Sequence, residues 1–450
     1  MTDRAATLLG NFMDQITPRH TGEGEFLQAV EEVARDVLPI EKASSAFTDA
    51  RALERLCEAD RIISFRITWR DDRGVVQINR GWRVQHSNLL GPYKGGLRWA
   101  PGVTRSVLKF LAFEQAFKNA LTGLPLGAAK GGADFDPHGR SVPEIERFAQ
   151  AFMAELAPHI GPDRDVPAGD IGVGAREVGL LARAWVQHAQ RWGGALTGKP
   201  LALGGSDIRA EATGYGVVFF TAAMLAEQGA ELQDKRVALS GRGNVSGHAA
   251  RKACAMGARV ISLSGRAGTW YAPDGFSAEA LDWTLTTKGD AAMDPPKDLG
   301  VEFREGAKPW GLSPDIALPC ATQNELDLED AKALADSGCR VLSEGANMPL
   351  TSDAEAHLTR AGVIQAPGKA ANAGGVAVSG LEMQQNASFA RWTPARVETQ
   401  LREIMCAIHA RLIAERASCC TAGGGIDYRR AANVAGYRKL ARAVVDGGVM

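Results

Sequence analysis

The stretch KRVALSGRGNVSGHAARKACAMGARVISLSGRAG, residues 235–268, decides the fold of the second half of this 450-residue chain. A run of β-forming residues (Arg236–Ser240) leads into a glycine-rich turn and a helical segment (Val245–Met256), and a second β-forming run (Arg259–Leu263) follows. This order predicts two parallel strands joined by a crossover helix. Two further β-forming runs continue the predicted parallel sheet, at Asp315–Pro319 and Val341–Ser343.

The glycine-rich turn reads GRGNVS over residues 241–246 and stands between the first strand and the helix. Glycine lets a backbone approach a pyrophosphate closely, and the N-terminus of the following helix favours negative charge. The third glycine of the usual pattern is replaced here by Ser246. The strand–turn–helix context still predicts a Rossmann-like dinucleotide site, and a glycine turn without function is the alternative.

The second strand ends in Ser264, Gly265 and Arg266, where a NAD site would place an acidic residue for the ribose 2′-hydroxyl. None of these residues is acidic. Arg266, with Arg242 from the glycine-rich turn, can offer guanidinium groups to a 2′-phosphate. We therefore predict NADP as the cofactor, and the alternative is that both arginines are solvated surface residues.

The first half of the chain mixes helices and strands. Residues 1 to about 60 have helical periodicity, and alternating residues on both sides of the turn Asp71–Gly74 predict a β-hairpin. Helices are predicted over Thr104–Leu121 and after the capping box Ser141–Glu144. The glycine-rich run Gly194–Gly205 predicts an interdomain hinge, and an amphipathic helix is predicted over Val397–Leu412.

The length of the chain exceeds what one hydrophobic core supports, so we predict an α/β protein of two domains. The first comprises residues 1–204 together with about 425–450, and the second comprises residues 205–424. A net charge of -1 disfavours nucleic acid and anionic membranes as partners. The seven cysteines form no CxxC pair and no metal-binding cluster, which predicts free thiols and no metal site. With no signal peptide and no apolar span, the sequence predicts a cytoplasmic protein.

Three lysines stand among small residues. Lys94 and Lys130 each precede two glycines, and Lys118 lies in the helix after Glu114. Small neighbours allow close approach, and desolvation lowers the pKa of a lysine so that it can act as a base. The alternatives are turn positions for Lys94 and Lys130, an exposed i,i+4 pair for Glu114 and Lys118, and an Asx turn at Asp170.

The sequence resembles the hexameric glutamate dehydrogenases, within the Glu/Leu/Phe/Val dehydrogenase superfamily, from about residue 20 to the C-terminus. The matching strings are Gly91–Arg98 (GPYKGGLR), Phe110–Ala120 (FLAFEQAFKNA), Leu124–Pro137 (LPLGAAKGGADFDP), Ile160–Gly179, Gly204–Gly216 (GGSDIRAEATGYG), Asp315–Asp327 (DIALPCATQNELD), Glu344–Pro349 (EGANMP) and Ala366–Asn386 (APGKAANAGGVAVSGLEMQQN).

The resemblance implies a role for individual residues. Lys130 is the implied catalytic lysine and Asp170 the implied proton shuttle. The implied substrate-binding residues are Lys94 and Ser379 for the γ-carboxylate, Gln115 and Lys118 for the α-carboxylate, and Gly169 and Asn372 near the amino group. Together with the glycine-rich turn, it implies a cofactor site built from Arg209, Thr213, Gly241, Arg242, Gly243, Asn244, Val245, Ser264, Arg266, Ala321 and Asn347.

The resemblance also implies a substrate-binding and oligomerisation domain, a dinucleotide-binding domain and a cleft between them. The implied reaction is the reversible oxidative deamination of L-glutamate to 2-oxoglutarate and ammonia with NADP, in a homohexamer. A leucine- or phenylalanine-type dehydrogenase is one alternative, although Lys94 and Ser379 argue against it. A non-catalytic nucleotide-sensing homologue is the other, and the Lys130/Asp170 pair argues against that.

Overall fold

The computed structural model describes residues 3–421 and 424–449. These residues form two compact units, each with its own β-sheet. Unit 1 takes in the chain up to Arg209, the segment Val378–Val397 and the C-terminal stretch from Asn433. Unit 2 comprises Ala210–Ala377 and Glu398–Ala432. The α/β class predicted from the sequence is therefore confirmed.

Unit 1 is built from mixed helices and strands. Its helices are α1 (Asp3–Ile16), α2 (Gly24–Lys42), α3 (Ser45–Asp49), α4 (Ala52–Leu56), α5 (Arg105–Thr122), α6 (Val142–Leu156) and α7 (Ala175–Ala189), and its strands are β1 (Arg61–Arg70), β2 (Val76–Ser87), β3 (Tyr93–Trp99), β4 (Ala128–Ala133) and β5 (Asp165–Gly169). The strand order is β1-β2-β4-β3-β5. β3 runs parallel to β4 and β5, so the C-terminal ends of these three strands point in the same direction.

Local sequence signals begin and end the elements of unit 1. The hairpin predicted around Asp71–Gly74 is confirmed, because β1 and β2 pair antiparallel across that turn. Thr104 caps α5 by accepting a hydrogen bond from the backbone N–H of Val107, and Ser141 and Glu144 form the predicted capping box of α6. The aromatic rings of Phe135 and Phe148 stack with centroids 3.7 Å apart inside the core under this sheet.

Unit 2 has a seven-stranded sheet. Its helices are α8 (Ala212–Glu227), α9 (Asn244–Ala255), α10 (Ala278–Thr286), α11 (Leu328–Asp336), α12 (Ser352–Arg360) and α13 (Gly368–Ala371), and its strands are β6 (Arg236–Leu239), β7 (Arg259–Gly265), β8 (Gly268–Tyr271), β9 (Glu302–Glu305), β10 (Ile316–Leu318), β11 (Val341–Ser343) and β12 (Ile364–Ala366). The order is β12-β11-β10-β6-β7-β8-β9. The first five strands in this order are parallel, which confirms the predicted parallel sheet, and β8 and β9 extend it antiparallel.

Three helices each contain residues of both units: α14 (Gly374–Ala387), α15 (Pro394–Ala414) and α16 (Tyr428–Gly447). The segment Val378–Val397 belongs to unit 1, whereas the sequence-based boundaries placed it in the second domain. A buried ion pair links this segment to unit 1: Glu382 on α14 accepts hydrogen bonds from Lys199 Nζ at 2.6 Å and from the backbone N–H of Gly198 at 2.8 Å. Such a contact joins residues 183 positions apart, and no local pattern announces it.

Candidate active site

Three neighbouring strands of the sheet in unit 1 carry several of the residues predicted from the sequence. Lys94 lies on β3 and Lys130 on β4, while Asp170 directly follows the end of β5. A methyl group at Gly96 would lie 2.9 Å from Asp170 Cβ and 3.3 Å from Lys130 Nζ. The glycine at position 96 therefore keeps open the space that these two side chains share.

The basic side chain of Lys94 is buried, with only 1% of its surface exposed. Its Nζ donates to the carbonyl of Val166 at 2.9 Å and to Thr197 Oγ1 at 2.8 Å. No carboxylate among the described residues lies within ion-pair distance of this Nζ. Burial and the nearby Arg209 guanidinium hold the pKa of Lys94 well below its usual value. A carboxylate brought by a ligand would supply the missing counter-charge.

Arg209 adds a second cation to the surroundings of Lys94. Its Nε donates to Ser379 Oγ at 3.1 Å, and its charge is one cause of the lowered pKa of Lys94. Arg209 is predicted among the cofactor residues, whereas in the structure its side chain contacts Ser379, a predicted substrate residue, in unit 1. Arg209 makes no ion pair within 4 Å in the part of the chain that the structure describes.

Lys130 and Asp170 form an ion pair, with 3.0 Å between Nζ and Oδ2. Arg98 Nε donates to the same oxygen at 2.9 Å. Burial lowers the pKa of Lys130, Asp170 opposes that effect, and the charge of Arg98 lowers it further. Burial alone would raise the pKa of Asp170, but Lys130 and Arg98 outweigh it and hold that pKa at about 2. The site thus contains a stable carboxylate beside an amine whose proton is held less tightly than usual.

Lys118 and Gln115 lie on α5. Lys118 is partly buried, and desolvation together with the charge of Lys130 lowers its pKa to about 8. The alternative placed Glu114 and Lys118 as an i,i+4 pair on an exposed helix face, and the structure differs in that both side chains are half-buried. Gln115 Nε2 donates to Asn119 Oδ1 at 2.7 Å, and Asn119 in turn donates to the carbonyl of Lys94 at 3.2 Å.

The glycine-rich turn of unit 2 has the geometry expected for binding a pyrophosphate. Gly241 has a φ of 82°, in the region that favours glycine, and α9 begins at Asn244. Ser246 Oγ accepts a hydrogen bond from the backbone N–H of Gly243 at 2.9 Å. The residue that replaces the third glycine therefore caps the helix, and Val245 lies in its first turn.

The end of β7 carries the residues predicted to face a 2′-phosphate. Ser264 Oγ accepts from the backbone N–H of Gly241 at 3.2 Å, which joins the strand end to the glycine-rich turn. Arg266 is exposed in the two-residue turn between β7 and β8. The Arg242 guanidinium lies 4.2 Å from the ring centroid of Trp270 on β8, and its Nη2 donates to the carbonyl of Thr287. Its Nη1 is buried without a hydrogen-bond partner among the described residues.

The remaining predicted residues divide between the units. Gly169 ends β5 in unit 1. In unit 2, Asn372 Nδ2 donates to Asn347 Oδ1 at 2.9 Å, so these two predicted residues are neighbours. Thr213 lies in the first turn of α8, and Ala321 is exposed after β10 with its N–H donating to Glu325 Oε1 at 3.0 Å.

Two family models match the chain. The model described as Glutamate/Leucine/Phenylalanine/Valine dehydrogenase matches residues 204–448, and the Glu/Leu/Phe/Val dehydrogenase dimerisation domain matches residues 59–187.

The chain is 48% identical over 444 residues to the NADP-specific glutamate dehydrogenase of Haemophilus influenzae, covering 98% of each chain. It is 47% identical to the Escherichia coli NADP-specific enzyme, covering 98% of this chain and 99% of that one. The NAD-specific glutamate dehydrogenase of Bacteroides fragilis is also 48% identical, over 97% of this chain and 99% of its own.

A solved structure has the same fold. The crystal structure of Plasmodium falciparum glutamate dehydrogenase superposes with a TM-score of 0.93 at 41% sequence identity. The match covers 99% of this chain and 96% of that chain. No helix within the described residues is both long enough and apolar enough to cross a membrane.

Proposed function

The chain belongs to the Glu/Leu/Phe/Val dehydrogenase family, and within that family we propose that it is a glutamate dehydrogenase. The proposed reaction is the reversible oxidative deamination of L-glutamate to 2-oxoglutarate and ammonia with NADP. One observation carries the choice of glutamate: Lys94 and Arg209 are cations in unit 1 with no carboxylate within ion-pair distance in the described chain. A substrate with a second carboxylate supplies the missing negative charge.

Lys94, Arg209 and Ser379 are proposed to bind the γ-carboxylate. Burial of a cation without a counter-ion is unfavourable in free energy. A carboxylate that enters the site supplies the counter-ion and removes this penalty, which favours binding. A leucine- or phenylalanine-type substrate has an apolar side chain and would leave Lys94 unpaired. Discrimination by an unpaired buried polar group reaches about 10⁴-fold or more in other enzymes. Lys118 and Gln115 are proposed to hold the α-carboxylate.

Lys130 and Asp170 are proposed to move the protons. In the amination direction, ammonia adds to the ketone carbon of 2-oxoglutarate, and Asp170 carries a proton from nitrogen to oxygen. Lys130 gives the second proton to that oxygen, so water leaves and an iminium remains. Bound NADPH supplies the hydride that Cα of the iminium receives. In deamination the roles reverse, and neutral Lys130 takes a proton from the attacking water.

The residues of unit 2 fit the cofactor. The N-terminus of α9 and the backbone of Gly241 and Gly243 suit a pyrophosphate. The orphaned Nη1 of Arg242 and the exposed guanidinium of Arg266 suit a 2′-phosphate, and no acidic residue lies at the end of β7 to repel it. NADP rather than NAD follows from these charges, and Thr213 and Asn347 are proposed to lie near the nicotinamide.

We also propose that the enzyme assembles as a homohexamer in the cytoplasm. A Thermus thermophilus relative, 29% identical, is described as a hetero-hexameric glutamate dehydrogenase. None of the seven cysteines, all within the described residues, forms a disulfide, and a reducing compartment is proposed on that basis. Light scattering coupled to size-exclusion chromatography measures the mass: about six times 47.8 kDa supports a hexamer.

The proposed activity is tested by following NADPH absorbance in the presence of 2-oxoglutarate and ammonium. Turnover that requires all three reactants supports the proposal. A purified, folded protein that oxidises NADPH with 2-oxo-4-methylpentanoate but not with 2-oxoglutarate would instead support a leucine-type enzyme. Absence of turnover with binding of NADPH would support a nucleotide-sensing homologue.

A further inference from the structure

Arg98 shares a single oxygen of Asp170 with Lys130, and the proposed function gives Arg98 no role. We propose that Arg98 is a positioning residue that serves as the permanent counter-ion of Asp170. It thereby frees Lys130 to lose its proton and reserves Oδ1 of Asp170 for proton exchange. This inference rests on the proposed function, because it concerns the two groups proposed to move protons.

The geometry assigns different tasks to the two oxygens of Asp170. Arg98 Nε lies 2.9 Å from Oδ2 and Lys130 Nζ lies 3.0 Å from the same atom. No hydrogen bond to Oδ1 is made by any residue in the described part of the chain. Two charge-assisted donors on Oδ2 reduce its basicity. Oδ1 is therefore the oxygen that accepts and returns a proton.

A second cation beside Asp170 is needed if Lys130 is to lose its proton. With Arg98 present, the carboxylate of Asp170 remains neutralised when Lys130 becomes neutral. Without Arg98, Lys130 would be the only cation bonded to Asp170, and each would hold the other in its charged form. A lysine bound so tightly as a cation is a poor base. Arg98 cannot take over as the base, because its guanidinium does not lose a proton in this pH range.

The other charged groups near this pair have partners of their own. Arg83 on β2 donates from Nε to Asp165 Oδ2 at 2.9 Å, at the start of β5. Burial and the charge of Lys130 lower the pKa of Lys118 on α5, whereas Asp170 and Glu114 raise it. Arg98 is thus the cation that contacts Asp170 in addition to Lys130.

The fold fixes Arg98 in this position. It lies on β3 opposite Gly132 of β4, and a Cβ at Gly132 would lie 2.0 Å from the Arg98 carbonyl oxygen. The close strand pairing holds the backbone of Arg98. Only 19% of its side chain is exposed, so its charge is incompletely screened by solvent.

The test is the pH dependence of kcat/KM for glutamate deamination in the wild type and in Arg98→Gln. Loss of the cation raises the pKa of both Lys130 and Asp170, so the acid limb of the profile moves to higher pH by about one unit or more. Arg98→Lys keeps the charge but loses the planar geometry. It should leave the limb near its wild-type position while lowering kcat by about tenfold. Arg147→Gln removes an arginine of α6 that pairs with Asp72, and it should leave the acid limb unchanged.

Each outcome decides a different question. An active Arg98→Gln enzyme whose acid limb coincides with that of the wild type overturns the inference. A wild type without glutamate turnover overturns the proposed function instead. If thermal unfolding shows that Arg98→Gln does not fold, Arg98→Lys decides: an unchanged kcat and an unchanged limb would mean that the contact with Oδ2 has no role.

Discussion

Replacing Lys94 by leucine tests the proposed recognition of the γ-carboxylate. Lys94 Nζ is buried, and its two partners are the uncharged oxygens of Val166 and Thr197. Leucine fills much of the same volume without the charge. The variant is expected to fold, because the loss of two hydrogen bonds, about 1 kcal/mol each, is offset by removal of a desolvated ammonium group.

The expected loss of activity follows from the burial of the site. Removing one partner of a buried charge pair costs about 3–5 kcal/mol. Arg209 remains beside Ser379 and retains part of the attraction, so the lower end of this range applies. A loss of ~3 kcal/mol corresponds to a decrease in kcat/KM of roughly 10²-fold for 2-oxoglutarate.

The assay compares 2-oxoglutarate with 2-oxopentanoate, which has a methyl group in place of the distal carboxylate. Reductive amination of both is followed with NADPH and ammonium at equal ionic strength. The wild type should strongly prefer 2-oxoglutarate, and Lys94→Leu should lose most of that preference. Near-normal use of 2-oxoglutarate by Lys94→Leu would refute the assignment. An equal decrease for both substrates would show that Lys94 supports the structure rather than the γ-carboxylate.

Three further predictions concern other parts of the molecule. Lys130→Ala and Asp170→Asn should fold but lose at least ~10²-fold in kcat, and near-wild-type turnover in either would contradict the proton-transfer roles. Arg266→Ala should lower the NADPH/NADH ratio of kcat/KM by roughly tenfold, and an unchanged ratio would remove Arg266 from the coenzyme site. Burial lowers the pKa of His86 from its ordinary value of 6.5 to about 4. As the pH falls through this interval, the unfolded state takes up a proton at His86 that the folded state does not, so the free energy of unfolding decreases between pH 6.5 and 4. In urea titrations His86→Gln should lose less stability over that interval, by up to about 1.4 kcal/mol per pH unit, and equal slopes for both proteins would contradict this.

Local patterns in the sequence were sufficient for the elements that local interactions build. The turn at Asp71–Gly74, the capping box at Ser141–Glu144 and the strand–turn–helix around Gly241 each depend on residues a few positions apart. The hydrogen bonds that define the turn, the capping box and the start of α9 link residues only a few positions apart, so the local sequence is enough to predict them.

Contacts between distant segments could not be predicted in the same way. Arg209 and Ser379 are 170 residues apart, and the contact between them brings Arg209 next to a residue of the proposed γ-carboxylate site. Glu382 bonds Lys199 across a similar separation and brings part of α14 into unit 1. The proposed role of Arg98 could not be predicted either, although Arg98 is the last residue of the string GPYKGGLR. That role depends on which oxygen of Asp170 the guanidinium contacts.

The two-residue turn between β7 and β8 separates the charge of Arg266 from the packing of the sheet. Arg266 projects from an exposed turn, whereas the strands beneath it are buried and hydrogen-bonded on both sides. A mutation at the tip of such a turn alters the charge at the proposed 2′-phosphate site without disturbing the packing of the sheet. Relatives about equally similar to this chain carry opposite coenzyme names, one NADP-specific and one NAD-specific, each at 48% identity. We therefore expect that changing the charge at position 266 can alter coenzyme preference while the sheet of unit 2 remains folded.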